Sequence, residues 1–224
     1  MSKEIYKKII TLALFITVGF ITMQVPFSQL IGVENLKFSL FDFYGPIAGA
    51  FFSSIIGLAT VFTMQIINWA WNGFTLDLIT LLRFLPMLMA VIYFSRKTKL
   101  ILIVPSIAMI MFWLHPEGRG AWYYALYWLI PFIAYLIPNK YIIARALGAT
   151  FTAHCIGSVI FLYALNLKSA VWLSLMPIVW KERILMAVGI TITYLIFNSL
   201  LNWLINKKHI SLSFVYLKPQ TDQS

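Results

Sequence analysis

A chain of 224 residues that is 61% hydrophobic and only 11% charged has too little polar material to cover a soluble globule of its size, and its apolar runs recur from residue 9 to residue 205. That excludes a soluble domain and implies an all-α, polytopic integral membrane protein. The net charge of +10 sits in short clusters beside the apolar runs, so anionic membrane lipid rather than nucleic acid is the expected counterpart.

The first run, residues 9–32, is too long for a signal-peptide core and lacks a small-residue cleavage site, so it reads as the first span. Residues 36–71 are charged only at Lys37 and Asp42 and are interrupted at Gly45 and Pro46. Thirty-six residues are too many for one crossing of about 20 and barely enough for two. The segment therefore predicts a short, broken second helix at 38–53 and a third span at 54–71. Gly45, Gly49, Ser53 and Gly57 recur every fourth residue, which lets another helix approach to backbone contact. Close packing around a broken helix is transporter-like.

Further spans are predicted at 75–95, 100–114, 121–137, 146–165 and 184–205. The pair 100–114 and 121–137 is short, with Pro105 in the first, and forms two full spans or one shallow hairpin. The total is six to eight transmembrane helices. With the N-terminus in the cytoplasm, the inner segments hold Lys3, Lys7, Lys8, Arg96, Lys97, Lys99, Lys140, Arg145, Lys207, Lys208 and Lys218. The outer loops hold Lys37, Arg119, Lys168, Lys181 and Arg183. This bias satisfies the positive-inside rule only if residues 36–71 enter and leave, so both termini are cytoplasmic. Residues 1–208 form a single transmembrane domain and 209–224 a cytoplasmic tail whose polar end is expected to be disordered.

The outer loops concentrate recognition chemistry: Glu34 and Asn35; Asn68, Trp69, Trp71 and Asn72; His115 through Tyr124, with Trp122 and Tyr123; and residues 166–183, with Asn166, Trp172 and Trp180. Aromatic rings beside a few charges suit a planar polar ligand, and they equally suit an interfacial aromatic belt. Within the membrane stand Asp42, Asp77, Arg83 and His154. Arg83 lies eight residues into its span, about 12 Å deep, where an isolated charge needs a partner. Asp42 is the expected partner, because Asp77, six positions away on the same helix, points elsewhere. Alternatively, Arg83 meets a substrate carboxylate or phosphate. His154 shares its helix with the small residues Ala149, Ala153 and Gly157, and makes an interhelical hydrogen bond or a ligand contact. Lys181, Glu182 and Arg183 read as the boundary of the last span, with Glu182 favourable at a helix N-terminus.

The single cysteine, Cys155, excludes an intramolecular disulfide and cysteine metal clusters, and the three histidines lack zinc-site spacing. No phosphate-cradling lysine loop, nucleophile elbow or dinucleotide fingerprint occurs. No catalytic residue, metal or cofactor is expected, and any ATP hydrolysis belongs to another chain.

The stretch Phe38, Ser39, Leu40, Phe41, Asp42, Phe43, Tyr44, Gly45, Pro46, Ile47, Ala48, Gly49, Ala50 resembles the region of the substrate-binding S components of energy-coupling factor (ECF) vitamin transporters where a short second helix leads into a Gly-Pro, small-residue third helix. Size, basic character and polar outer loops agree. The family's alanine-rich docking face on the first helix is represented only by Ala13 and Thr17. The resemblance implies a non-enzymatic subunit that binds a vitamin-like micronutrient from outside. A separate transmembrane coupling subunit and two cytoplasmic ATPases would energise uptake across the cell membrane. It implies a ligand near the outer face, with Asn35, Asp42, Asn68, Trp69, Trp122, Tyr123, His154, Asn166 and Trp172 as candidate contacts and Arg83 as deep anchor. The competing readings are a self-sufficient ion- or proton-coupled transporter using Asp42, Asp77, Arg83 and His154, a lipid-modifying enzyme, and a structural membrane partner.

Overall fold

The computed structural model describes residues 3–29, 37–95 and 99–208. Glu34, Asn35, Arg96, Lys97 and the tail 209–224 lie outside them. Helix α1 (Lys3–Met23) leads through a two-stranded antiparallel hairpin, β1 (Pro26–Gln29) and β2 (Lys37–Ser39), into the broken segment. That segment is α2 (Phe41–Tyr44), a 3₁₀ turn at Gly45–Ile47 and α3 (Ala48–Phe51). Pro46 has no N–H to donate, which accounts for the tightened turn. Phe52 then turns to an extended conformation, and the Ser53 hydroxyl accepts from the Ile56 amide at 3.3 Å to start α4 (Ser54–Trp71).

The second predicted helix is thus too short to cross a bilayer alone, and the four-residue ladder does not lie on one helix. Its members still serve close approach. A methyl on Gly45 would meet the Met87 side chain, and one on Gly49 the Val91 carbonyl, both on α6 (Phe84–Ser95). Gly57, already in α4, faces the backbone of Ala48 and Gly49, so α4 folds back tightly on α3.

A short α5 (Leu78–Leu82) precedes α6. Asp77, expected within the membrane, is instead the exposed N-cap of α5: it accepts from the Thr80 amide at 2.8 Å and hydroxyl at 2.6 Å. Those two bonds, the hydroxyl's foremost, hold its carboxyl below the usual range. Asp77 caps α5 because an Asp followed by an apolar periodic run is a helix start signal.

The predicted pair at 100–114 and 121–137 forms two short apolar stretches, Lys99–Leu114 and Trp122–Leu136. The first is a 3₁₀ turn running into α7 (Ile103–Leu114); the second is an eight-residue 3₁₀ segment, Trp122–Leu129, followed by α9 (Ile130–Leu136). Between them sits α8 (Pro116–Gly120). Helix α10 (Ile142–Leu165) is the central element: Ala146 and Ala149 belong to a core shared with α1 to α4 and α6, whereas Phe151, Cys155 and Leu162 belong to a second core with α7 and the Trp122–Leu129 segment.

The largest departure concerns residues 166–183, expected as an outer loop. Only a short link follows Asn166, and α11 (Ser169–Lys208) is one helix of 40 residues with Pro177 inside it. At 1.5 Å per residue it is about 60 Å long, roughly twice the hydrocarbon thickness of a bilayer. Its first half covers the second core and its second half crosses to the first, where Tyr194 stacks on Phe51 and Phe197 packs on Phe15. Among the described residues, five helical stretches are long and apolar enough to cross a membrane, Ile5–Met23, Ser54–Trp71, Leu78–Ser95 (α5 and α6 together), Ile142–Leu165 and Ser169–Trp203, which makes this an all-α membrane protein by length and composition.

The start of α11 is fastened by Glu117 of α8. Its carboxylate accepts from the Lys168 amine at 2.9 Å, the Ser169 amide at 2.9 Å and the Ser169 hydroxyl at 3.0 Å. These bonds, the lysine's foremost, pull the Glu117 carboxyl from its ordinary 4.5 down to about 2. A folded-state value below the unfolded one gives stability that is complete above about pH 4.5 and lost as pH falls toward 2. The thermal midpoints of wild type and Glu117→Gln are therefore expected to differ at pH 6 and to converge at pH 2 to 3; a gap independent of pH contradicts this clamp.

Candidate functional site

A cavity of about 710 Å³ lies between the two cores, at the end of the bundle where α1, α4 and α10 finish and α5 and α11 begin. Its roof is Met23 at the end of α1 and Gln24 just after it, with Pro26 and Phe38 of the hairpin. Asp42 enters from α2; Gln65, Asn68 and Trp69 come from α4 and Asn72 from its C-cap; Thr80 comes from α5, Arg83 from its C-cap and Phe84 from α6. Helix α10 supplies Ala153, His154, Gly157 and Ser158, and α11 supplies Trp172, Val179, Glu182 and Arg183. Space exists partly because Gly157 carries no side chain: a Cβ there would find only Pro86 Cγ, at 4.0 Å.

The polar groups are differently committed. The Asp42 carboxylate accepts from the Ser39 amide at 2.9 Å, closing the turn between β2 and α2, and lies within electrostatic reach of both Arg83 and Arg183. Arg83 opens onto the cavity. Among the described residues no carboxylate lies within ion-pair distance of it, so the expected Asp42–Arg83 pair is a through-space interaction rather than a contact. Asn68 is held by Gln24, whose amide donates to its Oδ1 at 2.9 Å. The Trp69 indole N–H donates to the Thr75 carbonyl at 3.0 Å and that of Trp172 to the Leu167 carbonyl at 3.1 Å. Both indoles have spent their donors and present only ring surface.

His154 is fixed from two sides. The indole of Trp128, which can only donate, reaches Nδ1 at 3.3 Å, so the proton of the neutral ring is on Nε2. Nε2 lies 3.0 Å from the Tyr124 hydroxyl and 3.5 Å from that of Ser158. The interhelical hydrogen bond expected of His154 is present, and it sets two hydroxyls into the cavity wall.

Arg183 is the residue that sequence reasoning passed over. Read as a boundary charge, it is 5% exposed and faces the cavity from the middle of α11. Nη1 donates to the Thr150 hydroxyl at 3.3 Å, Nη2 lies 3.5 Å from Glu182 Oε2, and the guanidinium stands 5.1 Å from the Phe38 ring centre. Among the described residues its Nε has no hydrogen-bond partner, and neither has the buried Oε1 of Gln65, whose amide donates to the Phe84 carbonyl at 3.4 Å.

Of the predicted contacts, Asp42, Asn68, Trp69, Arg83, His154 and Trp172 converge on this cavity. Trp122 and Tyr123 do not: they are 55% and 38% exposed on the outside of the 3₁₀ segment, whose next residue, Tyr124, turns inward. Asn166 is the exposed left-handed cap of α10, φ 48°, and has a turn-making role there. Asn35 lies outside the described residues. Trp172, placed in a loop by sequence, is on α11 and buried. Among the described residues no cluster of three metal-ligating side chains occurs. No family model matches the sequence, and neither a curated protein nor a solved structure matches it.

Proposed function

We propose that this chain is the substrate-capturing membrane subunit of an uptake system for a small, vitamin-like micronutrient, which occupies the cavity between the two cores. The single observation that carries this reading is the cavity itself. About 710 Å³ falls within the usual 300–1,000 Å³ of small-molecule sites, and aromatic faces with a few polar groups line it. In the orientation given by the positive-inside rule, the end of the bundle that holds it faces outward. The chain acts as a binding subunit and not as an enzyme. Its sequence carries no nucleotide-binding loop, so a coupling subunit and two ATPases in the cytoplasm supply the energy, as the resemblance to ECF S components implies.

A panel of water-soluble vitamins and precursors tests this by thermal shift of the detergent-solubilised chain. A ligand at 100 times its dissociation constant adds about 2.7 kcal/mol, so one compound is expected to raise the midpoint clearly. A flat response across the panel overturns the reading. One observation favours an ion-coupled transporter as the second reading: Asp42, Glu182, His154, Arg83 and Arg183 all border the same cavity. In proteoliposomes that reading predicts uptake by this chain alone, abolished by an ionophore.

A further inference from the structure

The cavity holds more cationic hydrogen-bonding capacity than the described residues use. Arg183 is 95% buried, the complement of its 5% exposure, yet its contacts are long and, among the described residues, its Nε–H has no partner. A guanidinium carries five N–H donors in a planar fork, and leaving them unmet away from water is costly. Glu182 does not cancel that cost well, because it is the adjacent residue on the same helix and reaches only to 3.5 Å. Arg83 also faces the cavity with no acidic partner at contact among the described residues. On the α10 side, the tautomer imposed by Trp128 makes His154 a donor toward Tyr124, whose hydroxyl also neighbours that of Ser158 at the cavity wall. The two indoles have no free donor and can only stack.

We propose that the ligand carries an oxyanion, a carboxylate or a phosphate, bound by the under-partnered Arg183 guanidinium and supported by Arg83 and the Tyr124 hydroxyl, with the remainder of the ligand against Trp69 and Trp172. This deepens the capture reading and rests on it. Fork-shaped, charge-assisted recognition of an oxyanion is what arginine does best, and a neutral isostere cannot reproduce it. Two sources supply such a group in a membrane, a free small molecule and the headgroup of an anionic lipid.

The purified chain in phosphatidylcholine nanodiscs separates these possibilities by thermal shift with nicotinate, benzoate, phenyl phosphate and inorganic phosphate. The uncharged isosteres nicotinamide and benzamide serve as controls, and nanodiscs containing phosphatidylglycerol without added probe form a separate arm. Acids are expected to stabilise and amides not. Response in the probe arm assigns a free ligand, and response only in the phosphatidylglycerol arm assigns a headgroup. Arg183→Gln is expected to weaken the response about 10- to 100-fold. Arg83→Gln, at a more open position, weakens it too and guards against a folding defect at position 183. Equal binding of acids and amides overturns the oxyanion assignment while leaving the capture reading standing. An anion response unchanged in both arginine variants also overturns it, as does no response in either arm; the vitamin panel, run separately, then decides the capture reading on its own.

Discussion

Gly157→Leu is expected to abolish ligand binding, by 100-fold or more, without unfolding the chain. The glycine is on α10 at the cavity wall, and a Cβ placed on it finds only Pro86 Cγ, at 4.0 Å. A leucine side chain therefore grows into the cavity rather than into packed protein, and occupies the volume a ligand needs. Leucine is also favoured over glycine in a helix interior by somewhat under about 1 kcal/mol, so the variant without ligand is expected to melt at or above the wild-type temperature. Thermal shift with any compound that stabilises the wild type checks this. Wild-type affinity in Gly157→Leu would mean that ligands bind elsewhere.

Gly49→Val is expected to have the opposite profile, with a large loss of stability and no selective effect on binding. The position is deep in the core, and an added side chain would run into the Val91 carbonyl and Ser95 of α6. Ser95 cannot retreat cheaply, because its hydroxyl bonds Ser54 at 2.9 Å across to α4. Overpacking a filled core costs about 1–3 kcal/mol, and here backbone is the obstacle, so the upper part of that range is expected. A thermal scan in the same detergent measures it; an unchanged midpoint would show that α3 and α6 are not packed as closely as described.

The helical class and most span limits were legible because they rest on composition and on runs of apolar residues, as at α4 and α10. The run 166–183 was not, and the reason is instructive. Pro177 and the triplet Lys181, Glu182, Arg183 read as loop and boundary, yet successive residues on a helix point about 100° apart. Lys181 faces outward while Arg183 faces the cavity. The buried positions Val179, Arg183, Met186, Ile190 and Tyr194 keep a three- or four-residue spacing right through the triplet, and that periodicity was the available signal.

The site was legible where chemistry and depth coincide. Asp42, Arg83 and His154 stood out as polar groups inside apolar runs, and Asn68 and Trp69 as amide and aromatic at a helix end. Trp122 and Tyr123 could not be told from Tyr124 by composition, since a 3₁₀ segment sends three neighbouring aromatics in three directions. The convergence of α10 and α11 that pairs Arg183 with Thr150, 33 positions apart, is a tertiary fact with no local trace.

The proposed function requires that this chain by itself holds a small ligand between its two cores. Native mass spectrometry of wild type and Gly157→Leu, each released from membranes and exposed to the vitamin panel, tests it most directly. A discrete small-molecule adduct on the wild type that is missing from Gly157→Leu is the predicted result. Identical bare masses for both proteins, or the same adduct on both, would contradict it.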